Sequence, residues 1–195
     1  GLEEPMTTHA DRFKYNTGYG MSAYDKGSIF LSQLQYIIGK ENFDNTLKKY
    51  FNDWSFKHPK PNDFIRSAEK VSGLELDWYL LDWAQSTMTI DYSVNSLYGI
   101  DNKTRVVLKR IGQMGMPIDL RIELISGETL DYNIPMTKMR GSKPVESSTL
   151  LKSWSWAKPY YEIWLDIDSK NISKITIDPK NEMADINRNN NYLVL

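Results

Sequence analysis

The spacing of apolar residues changes near Ser86, and this change constrains the fold more than any other feature of the sequence. Before Ser86 the apolar side chains recur every three or four positions, which is the period of an amphipathic α-helix. From Met88 onward they alternate with polar ones, which is the period of a β-strand with one buried face. We therefore predict an α+β, multidomain chain with a helical domain over residues 1–86 and a β-rich domain over residues 87–195.

Four helices are predicted in the first half of the chain. The apolar stripe of the first helix starts at Tyr24 and runs to Gly39, where a glycine cap is expected. The second helix covers about 42–54 and ends before two prolines. Asn62 is expected to cap the third helix, and Asp77 is expected to cap the fourth. Since the connections are short, the helices are predicted to form a small bundle.

Six or seven strands are predicted in the second half, separated by turns roughly ten residues apart. Residues 126–128, with the sequence Ser-Gly-Glu, are typical of a hairpin turn. Residues 135–149 are interpreted as a long polar connection, and the chain after Pro179 is interpreted as polar and turn-prone. This arrangement favours an antiparallel β-sandwich. The clearest predicted strands are 88–94 and 118–124, and the further ones are 104–111, 130–134, 161–167 and 175–177.

The composition argues against several classes of function. The chain has 24 Lys and Arg against 25 Asp and Glu, so its formal charge of −1 provides no field that would attract nucleic acid. Its apolar runs are far shorter than the roughly 18 residues that a membrane-spanning helix needs. The absence of cysteine excludes a disulfide framework, a thiolate zinc site and a Cys nucleophile. His9 and His58 lie too far apart for a His-Glu-x-x-His zinc motif, and both are interpreted as surface or capping residues.

Residues 19–27, with the sequence Tyr-Gly-Met-Ser-Ala-Tyr-Asp-Lys-Gly, contain the first candidate for a functional site. Tyr24 is predicted at the entrance of a helix, after a loop broken by Gly20. A phenol in this place can face a cleft and donate one hydrogen bond. The alternative is that Tyr24 only begins the apolar stripe of the helix, and its spacing does not distinguish the two.

The motif Tyr24-Asp25-Lys26-Gly27, with the residues that follow it, resembles the second half of the catalytic domain of the gluzincin zinc aminopeptidases, the family typified by aminopeptidase N and leukotriene hydrolase. In that family the matching tyrosine donates its hydroxyl to the oxyanion of a tetrahedral intermediate, and the resemblance implies this role for Tyr24. Tyr19 is similar to a second family tyrosine and is predicted to bind substrate. The β-rich half is similar in place to the family's small β-sandwich domain. The matching positions beyond the motif are Phe30, Leu31, Leu34, Ile38, Gly39, Phe43, Leu47, Tyr50, Asp63, Phe64, Glu69, Ser72, Gly73, Leu76, Asp77, Trp78 and Trp83.

The family's His-Glu-x-x-His helix, its further Glu ligand and its Gly-rich motif are not found in residues 1–195. The resemblance therefore implies a C-terminal fragment that binds no catalytic metal and is inactive by itself. In the intact parent it implies a zinc-polarised water that attacks the carbonyl of a peptide substrate, a Glu that takes its proton, and the release of N-terminal residues. The expected partners are the missing N-terminal part of the catalytic domain and, through the apolar face exposed by truncation, a second copy.

Two alternatives compete with this hypothesis. If Trp154 and Trp156 shared one exposed face, they would form a stacking platform for a sugar or a peptide, and the chain would be a non-catalytic ligand-binding or scaffold module. The same aromatic run, which continues to Trp164, is also typical of a domain core. The second alternative is a parent that has lost its metal site. The acidic ending around Asp178 and Asp185 lacks the spacing of a calcium loop and is interpreted as a set of turns.

Overall fold

The computed structural model describes residues 2–145 and 147–195, and these residues form two compact units. The helical unit comprises Gly1–Met88 together with Lys138–Pro144. The β unit comprises Thr89–Thr137 together with Val145–Leu195. Compactness does not establish that a unit folds alone, so the predicted domain boundary between residues 86 and 87 stays a prediction.

The helical unit is built from α-helices joined by short connections, as its period of three to four predicts. Its core is apolar and includes the fully buried Leu34, Ile37, Ile38 and Ala68. No helix in the described part of the chain has the length and hydropathy to cross a membrane. The helices are α1 (Asn16–Gly20), a π-helical turn (Met21–Asp25), α2 (Lys26–Ile38), α3 (Lys40–Trp54), α4 (Pro61–Ser72) and α5 (Asp77–Ala84), with a short 3-10 helix at Ala10–Arg12.

The first helix differs from its prediction because the chain is already helical before Tyr24. Residues Asn16–Gly20 form α1, and the predicted loop at Gly20 is wrong. A helical glycine costs only about 1 kcal/mol relative to alanine, so packing elsewhere can offset it. The predicted apolar stripe also loses its phase, since Tyr24 is exposed while Leu34 is buried. The π turn that contains Tyr24 has more residues per turn than the α-helical period assumes.

Two predicted helix caps are displaced by one or two residues. Asn62 lies inside α4, which begins with Pro61 at its first position and has Lys60 as its cap. Proline suits that position because the first helical N–H has no partner within the helix. The Asp63 carboxylate accepts a hydrogen bond from the Lys60 N–H at 2.7 Å. Asp77 is the first residue of α5 rather than its cap.

Part of the predicted polar connection belongs to the helical unit. In the segment Lys138–Pro144, Met139 is fully buried and its carbonyl accepts a hydrogen bond from the Glu75 N–H at 3.0 Å. The Lys143 ammonium lies 4.0 Å from the centre of the Tyr36 ring. The sequence did not predict that this segment belongs to the helical unit, because one buried methionine produces no repeating pattern.

The β unit contains two sheets in the described residues, and together with the helical unit they confirm the α+β class. One sheet has the strand order β1-β2-β6, and the other has the order β5-β4-β3-β7-β8. All neighbouring strands are antiparallel except β4 and β5. The strands are β1 (Tyr92–Ile100), β2 (Lys103–Arg110), β3 (Ile118–Leu124), β4 (Thr129–Ile134), β5 (Thr149–Leu150), β6 (Tyr160–Leu165), β7 (Ile172–Ile177) and β8 (Tyr192–Val194).

Most strand predictions hold, and the exceptions involve the C-terminal residues. The hairpin turn between β3 and β4 is confirmed, with Gly127 at a φ of 89°, a backbone conformation that favours glycine. The first predicted strand is shorter than expected because Ile90 instead makes an isolated bridge to Asp185. The chain after Pro179, interpreted from the sequence as turn-prone, also contains a strand, because β8 pairs with β7.

A buried tyrosine ties the start of β1 to the connection before β3. The Tyr92 hydroxyl accepts a hydrogen bond from the Met116 N–H at 2.8 Å and donates one to the Met116 carbonyl at 3.2 Å. Burial raises the pKa of Tyr92 to about 12. The phenol therefore serves as a core hydrogen-bonding group.

Candidate active site

Tyr19 and Tyr24 lie on one exposed face of the continuous helical segment formed by α1, the π turn and α2. Tyr24 is 69% exposed and Tyr19 is 37% exposed. Their ring centres are 6.0 Å apart and the ring planes meet at 84°, an edge-to-face contact. The two tyrosines that the sequence singled out are therefore neighbours, and neither is sealed inside the helices.

The π turn explains why these two tyrosines meet. An α-helix rotates about 100° per residue, so two residues five positions apart would point about 140° away from each other. A π-helix bonds residue i to residue i+5, which places residues five apart almost above one another. Met21–Asp25 adopts this geometry, and it contains Tyr24. The spacing of five between Tyr19 and Tyr24 is the only sequence signal for the pairing, and it becomes informative only if a π turn is assumed.

Tyr24 also affects the acidity of Tyr19. Interaction with the neighbouring Tyr24 hydroxyl raises the pKa of Tyr19, the charge of an ionised Tyr24 raises it further, and desolvation adds to the effect. The Tyr19 hydroxyl therefore keeps its proton more firmly than an isolated phenol does. A protonated hydroxyl can donate a hydrogen bond where an ionised one cannot.

Phe13 extends the tyrosine pair and was not identified from the sequence. Its ring centre lies 5.4 Å from that of Tyr19, with the planes at 82°. The result is a row of three edge-to-face rings, Phe13, Tyr19 and Tyr24. Phe13 precedes α1 in a non-repetitive stretch, so no period in the sequence could have assigned it to this face.

The histidines do not join the tyrosine pair. His9 accepts a hydrogen bond from the Asp11 N–H at 3.3 Å and caps the short helix Ala10–Arg12, as the capping interpretation expects. His58 lies in the exposed connection between α3 and α4. Within residues 2–145 and 147–195 no three His, Asp or Glu side chains are grouped so that they could hold a metal ion. These residues do not fit the zinc site that the resemblance implies, and no catalytic step is assigned to zinc.

The aromatic run of the β unit does not present Trp154 and Trp156 on one exposed face. Trp154 is only 5% exposed, and its indole N–H donates to the Lys158 carbonyl at 2.8 Å. Its ring packs on Tyr92 with the centres 5.4 Å apart. Trp156 is 54% exposed. The condition for a stacking platform, a shared exposed face, is therefore not met, and the interpretation of Trp154 as a core residue is confirmed.

The acidic ending forms turns in which two carboxylates accept hydrogen bonds from backbone N–H groups. The Asp178 carboxylate accepts hydrogen bonds from the Glu182 and Met183 N–H groups, both at 2.9 Å. The Asp185 carboxylate accepts from Tyr92 N–H at 2.9 Å and from Asn187 N–H at 2.8 Å. Burial raises the pKa of both carboxyls. This geometry agrees with the interpretation as turns.

Comparisons with known proteins bear on the helical unit first. Residues 3–83 match the Peptidase family M1 domain. Aminopeptidase N of Escherichia coli strain K12 is 25% identical over 140 residues, which cover 68% of this chain and 16% of that protein. The crystal structure of Legionella pneumophila aminopeptidase A in complex with aspartic acid has the same fold over 83% of this chain and 17% of its own, with 18% identity and a TM-score of 0.52.

These matches confirm the resemblance at the level of the family. The chain spans about one sixth of the length of either relative, 16% and 17%. The match to the family covers the tyrosine pair, the π turn and all five α-helices up to Trp83. Residues 3–83 therefore match a peptidase family M1 domain, and the chain is similar to the aminopeptidases.

Proposed function

We propose that this chain is part of a zinc aminopeptidase that releases N-terminal residues from peptides. The family match and the aminopeptidase relatives support this proposal. The zinc of such an enzyme would be held by residues other than those described here, because no metal-binding group of side chains is found among them. The chain by itself is proposed to be inactive and to need the N-terminal part of a catalytic domain as its partner.

Tyr24 is proposed to stabilise the oxyanion that forms when a peptide carbonyl is attacked. The observation that carries this role is its exposure: the Tyr24 side chain is 69% exposed on the π turn, and its ring contacts that of Tyr19 edge to face. A neutral phenol that donates to a developing negative charge strengthens its bond as the charge grows. This difference between ground state and transition state is what lowers a barrier.

Tyr19 is proposed to bind substrate and to orient Tyr24. In this arrangement Tyr19 donates its proton to the Tyr24 oxygen, which leaves the Tyr24 proton free to point at the substrate. A hydroxyl that accepts one hydrogen bond becomes a better donor in the next, because the bonds polarise one another. The raised pKa of Tyr19 supports this order of donation.

The decisive experiment substitutes Tyr24→Phe in the full-length protein that contains this segment. The kcat for hydrolysis of an amino-acid p-nitroanilide is expected to fall about 10²–10³-fold, the usual cost of one oxyanion donor, with little change in KM. Tyr98→Phe removes an exposed hydroxyl from the β unit and should leave kcat unchanged. A Tyr24→Phe rate equal to that of the unsubstituted protein would refute the role of Tyr24.

A further inference from the structure

The helical segment that carries the tyrosine pair is held on its other face by residues 2–4, which we name the clamp segment. Three positions spaced by four contact it, namely Gly18, Ser22 and Lys26. All three are buried, whereas Tyr19 and Tyr24 are exposed. The clamp segment therefore contacts the helix before, within and just after the π turn.

The contacts at Gly18 and Ser22 are close and specific. A Cβ atom on Gly18 would lie 2.8 Å from the Leu2 carbonyl oxygen, so only glycine permits this approach. The Ser22 side chain is fully buried, and its hydroxyl oxygen accepts a hydrogen bond from the Glu4 N–H at 3.0 Å. Removing the Ser22 hydroxyl would leave that N–H without its acceptor.

The contact at Lys26 is an ion pair with a backbone anchor. Lys26 is 7% exposed, which is rare for a lysine. Its ammonium pairs with the Glu3 carboxylate and donates to the Ser86 carbonyl at 2.7 Å. A buried ammonium without its carboxylate would be strongly unfavourable, so Lys26 requires Glu3 to be in place.

The π turn is the element that needs such support. Single π turns inside α-helices are uncommon and occur frequently at functional sites, which indicates that an α-helix is the usual alternative. Unusual backbone conformations persist where the surrounding structure determines them. Relaxation of Met21–Asp25 to an α-helix would shift the register by one residue and rotate Tyr24 away from Tyr19.

We propose that Glu3, Ser22 and Lys26 are positioning residues that hold the π turn, and through it keep the rings of Tyr19 and Tyr24 in contact. The catalytic meaning of this clamp rests on the function proposed for Tyr24. Its structural content is independent of catalysis, because it concerns only the geometry of the two tyrosines.

The test uses the chain itself, labelled with ¹³C at the tyrosine ζ carbon, with Tyr19 assigned by the loss of its signal in Tyr19→Phe. The pKa of Tyr19 is measured by NMR titration, together with the nuclear Overhauser contact between its ring and that of Tyr24. In Lys26→Met and Ser22→Ala the contact is expected to weaken or disappear, and the Tyr19 titration is expected to move back toward that of an isolated tyrosine. Lys26→Arg should restore both because it keeps the charge.

Lys49→Met is the matched control, since it removes a lysine that pairs with Asp53 on the surface of α3. It should leave both readouts unchanged. A clamp that only stabilised the fold would lower the melting temperature in Lys26→Met without moving the Tyr19 titration, and that result would overturn the proposal. If Lys26→Met does not fold, Ser22→Ala provides the test by itself. A shift of its Tyr19 titration supports the proposal, and a lowered melting temperature with an unchanged Tyr19 titration overturns it. A full-length Tyr24→Phe enzyme with an unchanged rate would refute the oxyanion role but would leave this test unaffected.

Discussion

Arg121 and Asp131 face each other on β3 and β4 and form a two-pronged ion pair. The guanidinium Nε and Nη2 donate to the two carboxylate oxygens at 2.7 and 2.8 Å. The hydrogen bonds from Arg121, with its positive charge, hold the pKa of Asp131 below its usual value. A carboxyl with a lowered folded-state pKa stabilises the fold above its unfolded pKa, and this contribution disappears as the pH falls through the folded value.

Asp131→Asn is therefore expected to cost about 0.5–1 kcal/mol of unfolding free energy at pH 7, the upper range for a partly exposed pair. The difference from the unsubstituted chain should begin to shrink as the pH falls below about 4, where the carboxyl of the unfolded chain becomes protonated, and should vanish once the folded carboxyl is protonated too. Urea unfolding at a series of pH values measures the cost at pH 7 and its change with pH. Asp44→Asn, which breaks the exposed Lys40–Asp44 pair, should cost less at pH 7. If the loss of unfolding free energy in Asp131→Asn grew as the pH fell, the stabilising role of this ion pair would be contradicted.

The two glycines of α1 have opposite surroundings, although both are helical. Gly18 lies against the Leu2 carbonyl oxygen, where an added Cβ would be 2.8 Å away. Gly20 has no atom within 4 Å of its virtual Cβ. Alanine is the better helix former at both positions, so the difference between them isolates the close approach of residues 2–4.

Gly20→Ala is expected to raise the unfolding free energy by about 0.5–1 kcal/mol, chiefly by lowering the entropy of the unfolded chain. Gly18→Ala is expected to lower it by about 1–3 kcal/mol, since the clash must be relieved by moving backbone. Circular dichroism during urea unfolding compares the two variants directly. Equal effects of the same sign would show that residues 2–4 do not pack on α1 as described.

The described part of the chain has large apolar side chains on its surface. Leu47 and Phe51 are one turn apart on α3, and both are exposed. Burying one large apolar side chain is worth about 1.5–3 kcal/mol, so a few such contacts favour association. We expect self-association through this face, consistent with the proposal that a partner covers it in a longer enzyme.

Static light scattering should show a mean mass that rises above the 22.7 kDa of one chain as concentration increases. Phe51→Glu should reduce this rise, because a carboxylate on the face must be desolvated on contact. Ile186→Glu, an equally polar change at an exposed position of the β unit, should not. A constant monomer mass at high concentration would contradict the expectation.

The local period of the sequence determined most of the elements of this protein. The alternation over residues 118–124 predicted β3 with its observed bounds, and the glycines at positions 39 and 127 marked the end of α2 and the hairpin turn. These features depend on side chains a few positions apart, so the sequence contains the information directly. The family motif likewise marked Tyr24 and Tyr19 as candidates, and their roles stay predictions.

Only the tertiary structure decided how those tyrosines meet. Their pairing depends on a π turn that residues 2–4 contact from the far side, and those residues follow no repeating pattern. The burial of Trp154 and the packing of Met139 on the helical unit were decided in the same way. In each case the deciding contact joins residues far apart in the chain, and a local period carries no information about such contacts.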